Sequence, residues 1–188
     1  MSTISWVILA IIAIVAIALI SMYNGLIRLK NRVEEAFSDM DVQMKRRYDL
    51  IPNLVESVRA YAKHEEGTLE KVIKARNDAM NAHKGTDFKE QIATENMLSS
   101  TLKSLFALSE NYPDLKANQN FLELQRELTD TEDKIMSSRR FYNGNVRDFN
   151  TKLQVFPTNI LGKMLGFMNM SYFELADEKQ RENVQVKF

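Results

Sequence analysis

Apolar residues follow two regimes along this chain. From Ile4 to Met22 they run without a single charge, as ISWVILAIIAIVAIALISM; beyond Met22 they recur every three or four positions among charged neighbours. At about 1.5 Å of rise per residue the first run spans roughly 28 Å, close to the hydrocarbon thickness of a bilayer. It predicts a transmembrane anchor over residues 1–22. Trp6 and Tyr23 flank the run, where amphipathic rings favour the interface. A cleaved signal peptide would need a basic leader, a shorter apolar core and a small-residue cleavage site. Met1-Ser2-Thr3 carries no Lys or Arg, and the small-x-small match at Ala16 and Ala18 lies inside the run. Arg28, Lys30 and Arg32 follow the span and no basic side chain precedes it. The positive-inside rule then predicts a single-pass protein of the inner or plasma membrane, with its N-terminus outside and the rest cytoplasmic.

The second regime predicts helices. Leu26, Leu29, Val33, Phe37, Met40 and Met44 mark one face of a helix from about Tyr23 to Arg47. Only Gly25 separates it from the anchor, so the two are expected to form one rod. Asp49, ahead of Leu50-Ile51-Pro52, predicts a fresh start: Asp caps free amides, and proline is tolerated in a first turn. The second helix then carries Ile51, Val55, Val58, Ala62, Leu69, Val72 and Ala79. It ends near His83, where Lys84-Gly85-Thr86-Asp87 supplies stop and restart signals. A third helix uses Phe88, Ile92, Leu98, Leu102 and Leu105, and stops before Pro113. A fourth carries Phe121, Leu124, Leu128, Ile135, Tyr142, Val146, Phe149 and Leu153, and ends by Pro157. Short connections imply antiparallel neighbours. The expected fold is all-α: the anchor continues into an up-and-down four-helix bundle over residues 23–157, followed by a C-terminal segment and tail over 158–188.

Charges interrupt these stripes. The spacing that runs through Val55 and Val72 also places Glu65 and Arg76 on the core face. Glu95 lies between Ile92 and Leu98, and Glu132 and Arg139 flank Ile135. Buried charge is costly unless paired, so the five predict a polar network across helices or residues at the stripe's edge. An ion or small-ligand site is the alternative.

Composition narrows the chemistry. The chain has no cysteine, which excludes disulfides, cysteine-ligated metals and cysteine nucleophiles. Basic and acidic residues number 25 each, and such balance gives no long-range field that would favour nucleic acid. Neither His64 nor His83 follows a Glu at the spacing of a bundle di-metal site, and His64-Glu65-Glu66 lacks the second His of a zincin. The six glycines are too scattered for a phosphate-binding loop. No catalytic, cofactor or metal residues are expected.

Several local strings occur in order: Tyr23-Asn24-Gly25-Leu26, Arg47-Tyr48-Asp49-Leu50-Ile51-Pro52-Asn53-Leu54-Val55, Tyr61-Ala62-Lys63-His64-Glu65, and Tyr112-Pro113-Asp114-Leu115-Lys116-Ala117-Asn118. Phe121, Leu124, Glu132, Ile135, Arg140-Phe141-Tyr142-Asn143, Asn150 and Phe156-Pro157 follow. From about Ile4 to Phe173 the chain resembles the LemA family of bacterial membrane proteins. The resemblance implies one N-terminal membrane helix and a bromodomain-like up-and-down bundle, with no established catalytic activity. Some relatives are encoded beside a membrane zinc metalloprotease, which makes such an enzyme an expected kind of partner.

The C-terminal stretch Ile160 to Phe173 is rich in Met and aromatic residues. Met164, Phe167, Met168, Met170 and Phe173 are expected either to pack on the bundle end or to meet a partner, the membrane interface or a second subunit. Beyond it, Glu174 to Glu182 looks like solvated helix or linker, and Val184 to Phe188 alternates as an edge strand would. The function expected from these readings is a membrane-anchored scaffold or adaptor that self-associates and carries no cofactor. The alternative is a regulatory or ligand-sensing accessory protein of a membrane protease or other membrane complex.

Overall fold

A computed structural model describes residues 2–85 and 87–173. Its helices are α1 (Thr3–Tyr61), α2 (Glu66–Lys84), α3 (Phe88–Ser109), α4 (Pro113–Lys116), α5 (Gln119–Gln154) and α6 (Thr158–Met164), and among the described residues there is no strand. The all-helical expectation holds. The readings placed on Glu174 to Glu182 and on Val184 to Phe188 lie outside the described residues.

Helix α1 joins what the pattern divided. The stretch over Ile4–Met22 and the first bundle segment are one helix, as the weak interruption at Gly25 implied. The apolar run is the one stretch among the described residues long and apolar enough to cross a membrane, and none of it is buried against the protein. An apolar core helix of a water-soluble fold would be covered instead.

The expected break at Asp49 does not occur. Asp49 stands exposed in mid-helix and Pro52 lies inside α1. A proline at this position removes the amide that would reach the Tyr48 carbonyl one turn earlier. Here the Arg76 guanidinium replaces it: its Nε–H donates to that carbonyl at 2.7 Å. The apolar stripe also runs straight through, with Met44, Tyr48, Ile51, Val55 and Val58 all buried. Tertiary contact thus overrides a local start signal.

The break falls later, at Ala62–Glu65, and splits the stripe assigned to the second helix. Ile51 to Val58 close α1, whereas Leu69, Val72, Ala75, Ala79 and Ala82 form the buried face of α2. Glu65 and Glu66 place negative charge at the α2 N-terminus, where free amides favour it, and Gly67 weakens helix across the junction.

Helix α3 starts where Asp87 caps it, accepting from the Lys89 and Glu90 amides. It ends ahead of Pro113, as expected. Pro113 opens the single turn α4, and the Asn118 side chain then caps α5 by accepting from the Phe121 amide at 3.0 Å. Neither α4 nor α6 is evident from periodicity, because each is too short to display a stripe.

The chain divides into two compact units. One contains residues up to Asp39 together with Ser138–Tyr172; the other contains Met40–Ser137 and Phe173. In the first, α1 and α5 run antiparallel: Phe37 stacks edge-on against Tyr142, while Tyr23 and Phe149 both meet Phe167. In the second, α2 and α3 pack together across their short connection.

Candidate functional site: a buried arginine–carboxylate cluster

The polar centre of the second unit is Arg47, which the local pattern alone puts at the end of a helix. It is the largest fully buried side chain among the described residues, at 0% exposure. Its position follows from α1 continuing: three residues beyond Met44 the stripe passes directly over it. One guanidinium nitrogen, Nη1, donates to Ser99 Oγ at 2.8 Å and to Glu132 Oε2 at 2.6 Å. The other, Nη2, pairs with the Glu95 carboxylate, whose second oxygen accepts from the Tyr48 hydroxyl. Ser99 Oγ donates in turn to Glu132 Oε1 at 2.7 Å. Three elements therefore meet here: α1 supplies Arg47 and Tyr48, α3 supplies Glu95 and Ser99, and α5 supplies Glu132.

The electrostatics follow from burial. Glu95 is as fully enclosed as Arg47, whereas Glu132 keeps 34% of its side chain in solvent. The enclosed pair is held by charge neutralisation and by hydrogen bonds on both carboxylate oxygens. Burial, then the neighbouring Glu95 charge, pushes the Tyr48 hydroxyl well above the usual phenol range. Tyr48 is thus a committed donor. Among the described residues, Arg47 Nε and, one turn before it on α1, Gln43 Oε1 have no hydrogen-bond partner.

The residues marked in the stripes divide. Glu95 and Glu132 belong to the cluster. Arg76 does not: it reaches the Tyr48 backbone and the Asn77 side chain. Glu65 lies apart, accepting from the Tyr112 hydroxyl at 2.9 Å, a contact that raises the Tyr112 pKa. Arg139 is buried on the part of α5 that belongs to the first unit. Arg47 was missed, although continuing the three-and-four spacing past Met44 would have found it.

The remaining candidate chemistry is dispersed. His64 is exposed. His83 Nε2 contacts Asp41 Oδ1 at 2.7 Å, and Gln91 occupies its Nδ1. Among the described residues no three His, Asp or Glu side chains gather as a metal site.

The C-terminal segment is divided as well. Phe173 is buried and meets Phe88 edge-on, and Phe167 packs between Tyr23 and Phe149. Asn150 clamps the backbone of Met170, donating to its carbonyl and accepting from its amide, both at 2.9 Å. Tyr142 donates to the Ser171 carbonyl at 3.0 Å, and its burial raises its pKa. Met164 and Met168 face outward.

The sequence model of the LemA family matches residues 36–188. Among curated proteins, the chain is 29% identical to protein LemA of Metamycoplasma hominis, over 87% of this chain and 73% of that one. It is 22% identical to magnetosome protein MamQ of Magnetospirillum gryphiswaldense, over 88% of this chain and 69% of the relative. Magnetosome protein MamQ 2 of Paramagnetospirillum magneticum is similar at 22% identity, over 89% and 70%. The resemblance drawn from the local strings is confirmed at the level of the family.

Proposed function

This chain belongs to the LemA family, and from that premise we propose that it is a single-pass, membrane-anchored helical scaffold or adaptor without catalytic activity. One observation carries the reading: the uncharged, uncovered N-terminal stretch continues without a break into a helix whose buried Arg47 bonds carboxylates on α3 and α5. A site for turnover needs reactive groups aimed into a cleft. Here the charged core residues are absorbed in holding helices together.

Residues 1–22 form the anchor, 23–157 an up-and-down four-helix bundle of bromodomain-like form, and 158–188 an appended segment. Arg28, Lys30 and Arg32 favour a cytoplasmic bundle in the inner or plasma membrane, with the N-terminus outside. The protein self-associates, needs no cofactor, binds no nucleic acid, and serves a membrane protein partner such as a metalloprotease.

The test is extraction and mass. The full chain should stay in the membrane pellet through alkaline carbonate, and in mild detergent its particles should contain more than one copy. Release by carbonate would sink the anchor, and a strictly monomeric mass would sink self-association. Protease added to inside-out and right-side-out vesicles reads the orientation.

A second reading, a ligand-sensing accessory protein, is favoured by the unbonded Arg47 Nε and Gln43 Oε1. Its polar residues would be those of the cluster in the second unit, Gln43, Arg47, Glu95 and Glu132, whereas Glu65, Arg76 and Arg139, expected in the same network, lie apart from it. Replacing Gln43 with Leu should leave a scaffold assembled but abolish a sensor's response.

A further inference from the structure

Helix α6 is amphipathic in the wrong sense for a water-soluble surface. Its inward face is small and polar: Thr158 and Gly162 are buried, and a Cβ at Gly162 would lie 2.7 Å from Leu153 Cδ2. A larger residue there would have to displace the Leu153 methyl at the end of α5. Its outward face holds Ile160 and Met164, and the residues on either side continue it. Phe156 is 79% exposed, Met164 79% and Met168 81%, with Val155 and Leu165 also uncovered. Lys163 is exposed among them. Gly166, at φ +74°, turns the chain so that Phe167 points back inward while Met168 remains outside.

This face lies at a defined height in the first unit. Phe37 and Tyr142 meet where α1 and α5 run antiparallel. From Phe37 back to Tyr23 the helix travels about 21 Å, and from Tyr142 on to Gln154 about 18 Å, so both paths end at nearly the same level. The ring contact between Tyr23 and Phe167, with centroids 6.5 Å apart, fixes that meeting point. Tyr23 immediately follows the charge-free run, and the first charge comes only at Arg28. The outward apolar face of α6 therefore emerges where the anchor leaves the bilayer.

We infer that residues Phe156 to Met168 form a second, peripheral membrane contact, a foot that lays Phe156, Ile160, Met164 and Met168 into the lipid surface beside the anchor. The occupant is lipid because the face is continuous with the membrane-crossing helix through the Tyr23–Phe167 contact. An interfacial helix sinks its apolar side about 5–10 Å into the headgroup and acyl boundary. Lys163 has the reach to keep its ammonium among the headgroups while its stem lies with the apolar side chains. The inference rests on the anchored reading above.

The chain is free of cysteine and has one tryptophan, Trp6, inside the anchor. Phe156→Cys, Met164→Cys and Met168→Cys, with Lys71→Cys on exposed α2 as reference, would each be labelled with an environment-sensitive fluorophore. The full chain would be placed in vesicles of phosphatidylcholine and phosphatidylglycerol. A spin label carried shallow on the lipid chains should quench the three foot positions several-fold more than position 71, and more than a deep spin label does. Aqueous iodide should show the reverse preference. Brominated lipid should quench Trp6, and each variant should melt with the parent.

Iodide quenching of the foot equal to that at position 71, with Trp6 still quenched by lipid, would overturn the foot and spare the anchor. Shielding from both quenchers that disappears on dilution in lipid would assign the face to a second copy, and overturn it too. An unquenched Trp6 would overturn the anchor and the foot together.

Discussion

Replacing Arg47 with Met tests the buried cluster most directly. The substitution keeps an unbranched apolar stem in α1 and removes the guanidinium. Glu132 then rehydrates readily, since a third of it already faces solvent, and its loss is small by the standard of exposed pairs. Glu95 has no such recourse: at 0% exposure it retains only the Tyr48 hydroxyl. Removing one partner of an enclosed ion pair costs about 3–5 kcal/mol. At roughly 2–4 °C per kcal/mol for a chain of this size, the melting temperature should fall by about 6–20 °C. The assay is thermal and urea unfolding of the full chain in detergent, followed by circular dichroism. Glu95→Gln should recover much of the loss in the Arg47→Met background, because it withdraws the stranded charge while leaving Tyr48 an acceptor. The corresponding coupling energy is about 1–3 kcal/mol. A cost below about 1 kcal/mol for Arg47→Met, or a double variant weaker than the single one, would refute the reasoning.

Two further predictions follow from neighbouring groups. Tyr48→Phe should destabilise at neutral pH by about 1–3 kcal/mol, since it strips a hydrogen bond from buried Glu95. The folded Tyr48 pKa lies above the unfolded value, so its contribution is complete below pH of about 10 and declines as pH rises beyond that. The gap between wild type and Tyr48→Phe should narrow above that pH, and a constant gap in urea titrations would contradict the assignment. Arg76→Met should cost about 1–3 kcal/mol by stranding the Tyr48 carbonyl. It should cost less in a Pro52→Ala background, where residue 52 regains an amide for that carbonyl; equal costs in the two backgrounds would show that Arg76 acts elsewhere.

What the linear pattern reveals and conceals has a physical basis. Stripes such as Leu26, Val33, Met40 and Met44 are legible because burial on one helix face imposes a local period. The limits of α3 are legible because Asp87 and Pro113 act on their own backbone. The Asp49–Pro52 start signal misleads because the group that neutralises it, Arg76, lies 28 residues away from Tyr48. Arg47 is hidden for the same reason: its partners lie 48 and 85 residues further on, and next to Arg46 and Lys45 it resembles a solvated basic run. Glu95 was legible because it interrupts an apolar face by itself. Met168 and Phe173 look equivalent in composition, yet one is exposed and the other meets Phe88. That difference belongs to tertiary contact alone.

The Asn150 clamp has a consequence for which substitutions the segment tolerates. Asn150 holds the peptide groups of residue 170 and makes no demand on the methionine side chain. Position 170 should therefore accept almost any residue that its half-buried setting accommodates, and reject proline, which has no amide to give. Placement is encoded in one asparagine, while the identity of the side chain carried there is left open. A segment held in this way can be refitted to a new neighbour by ordinary point changes without coming loose from α5.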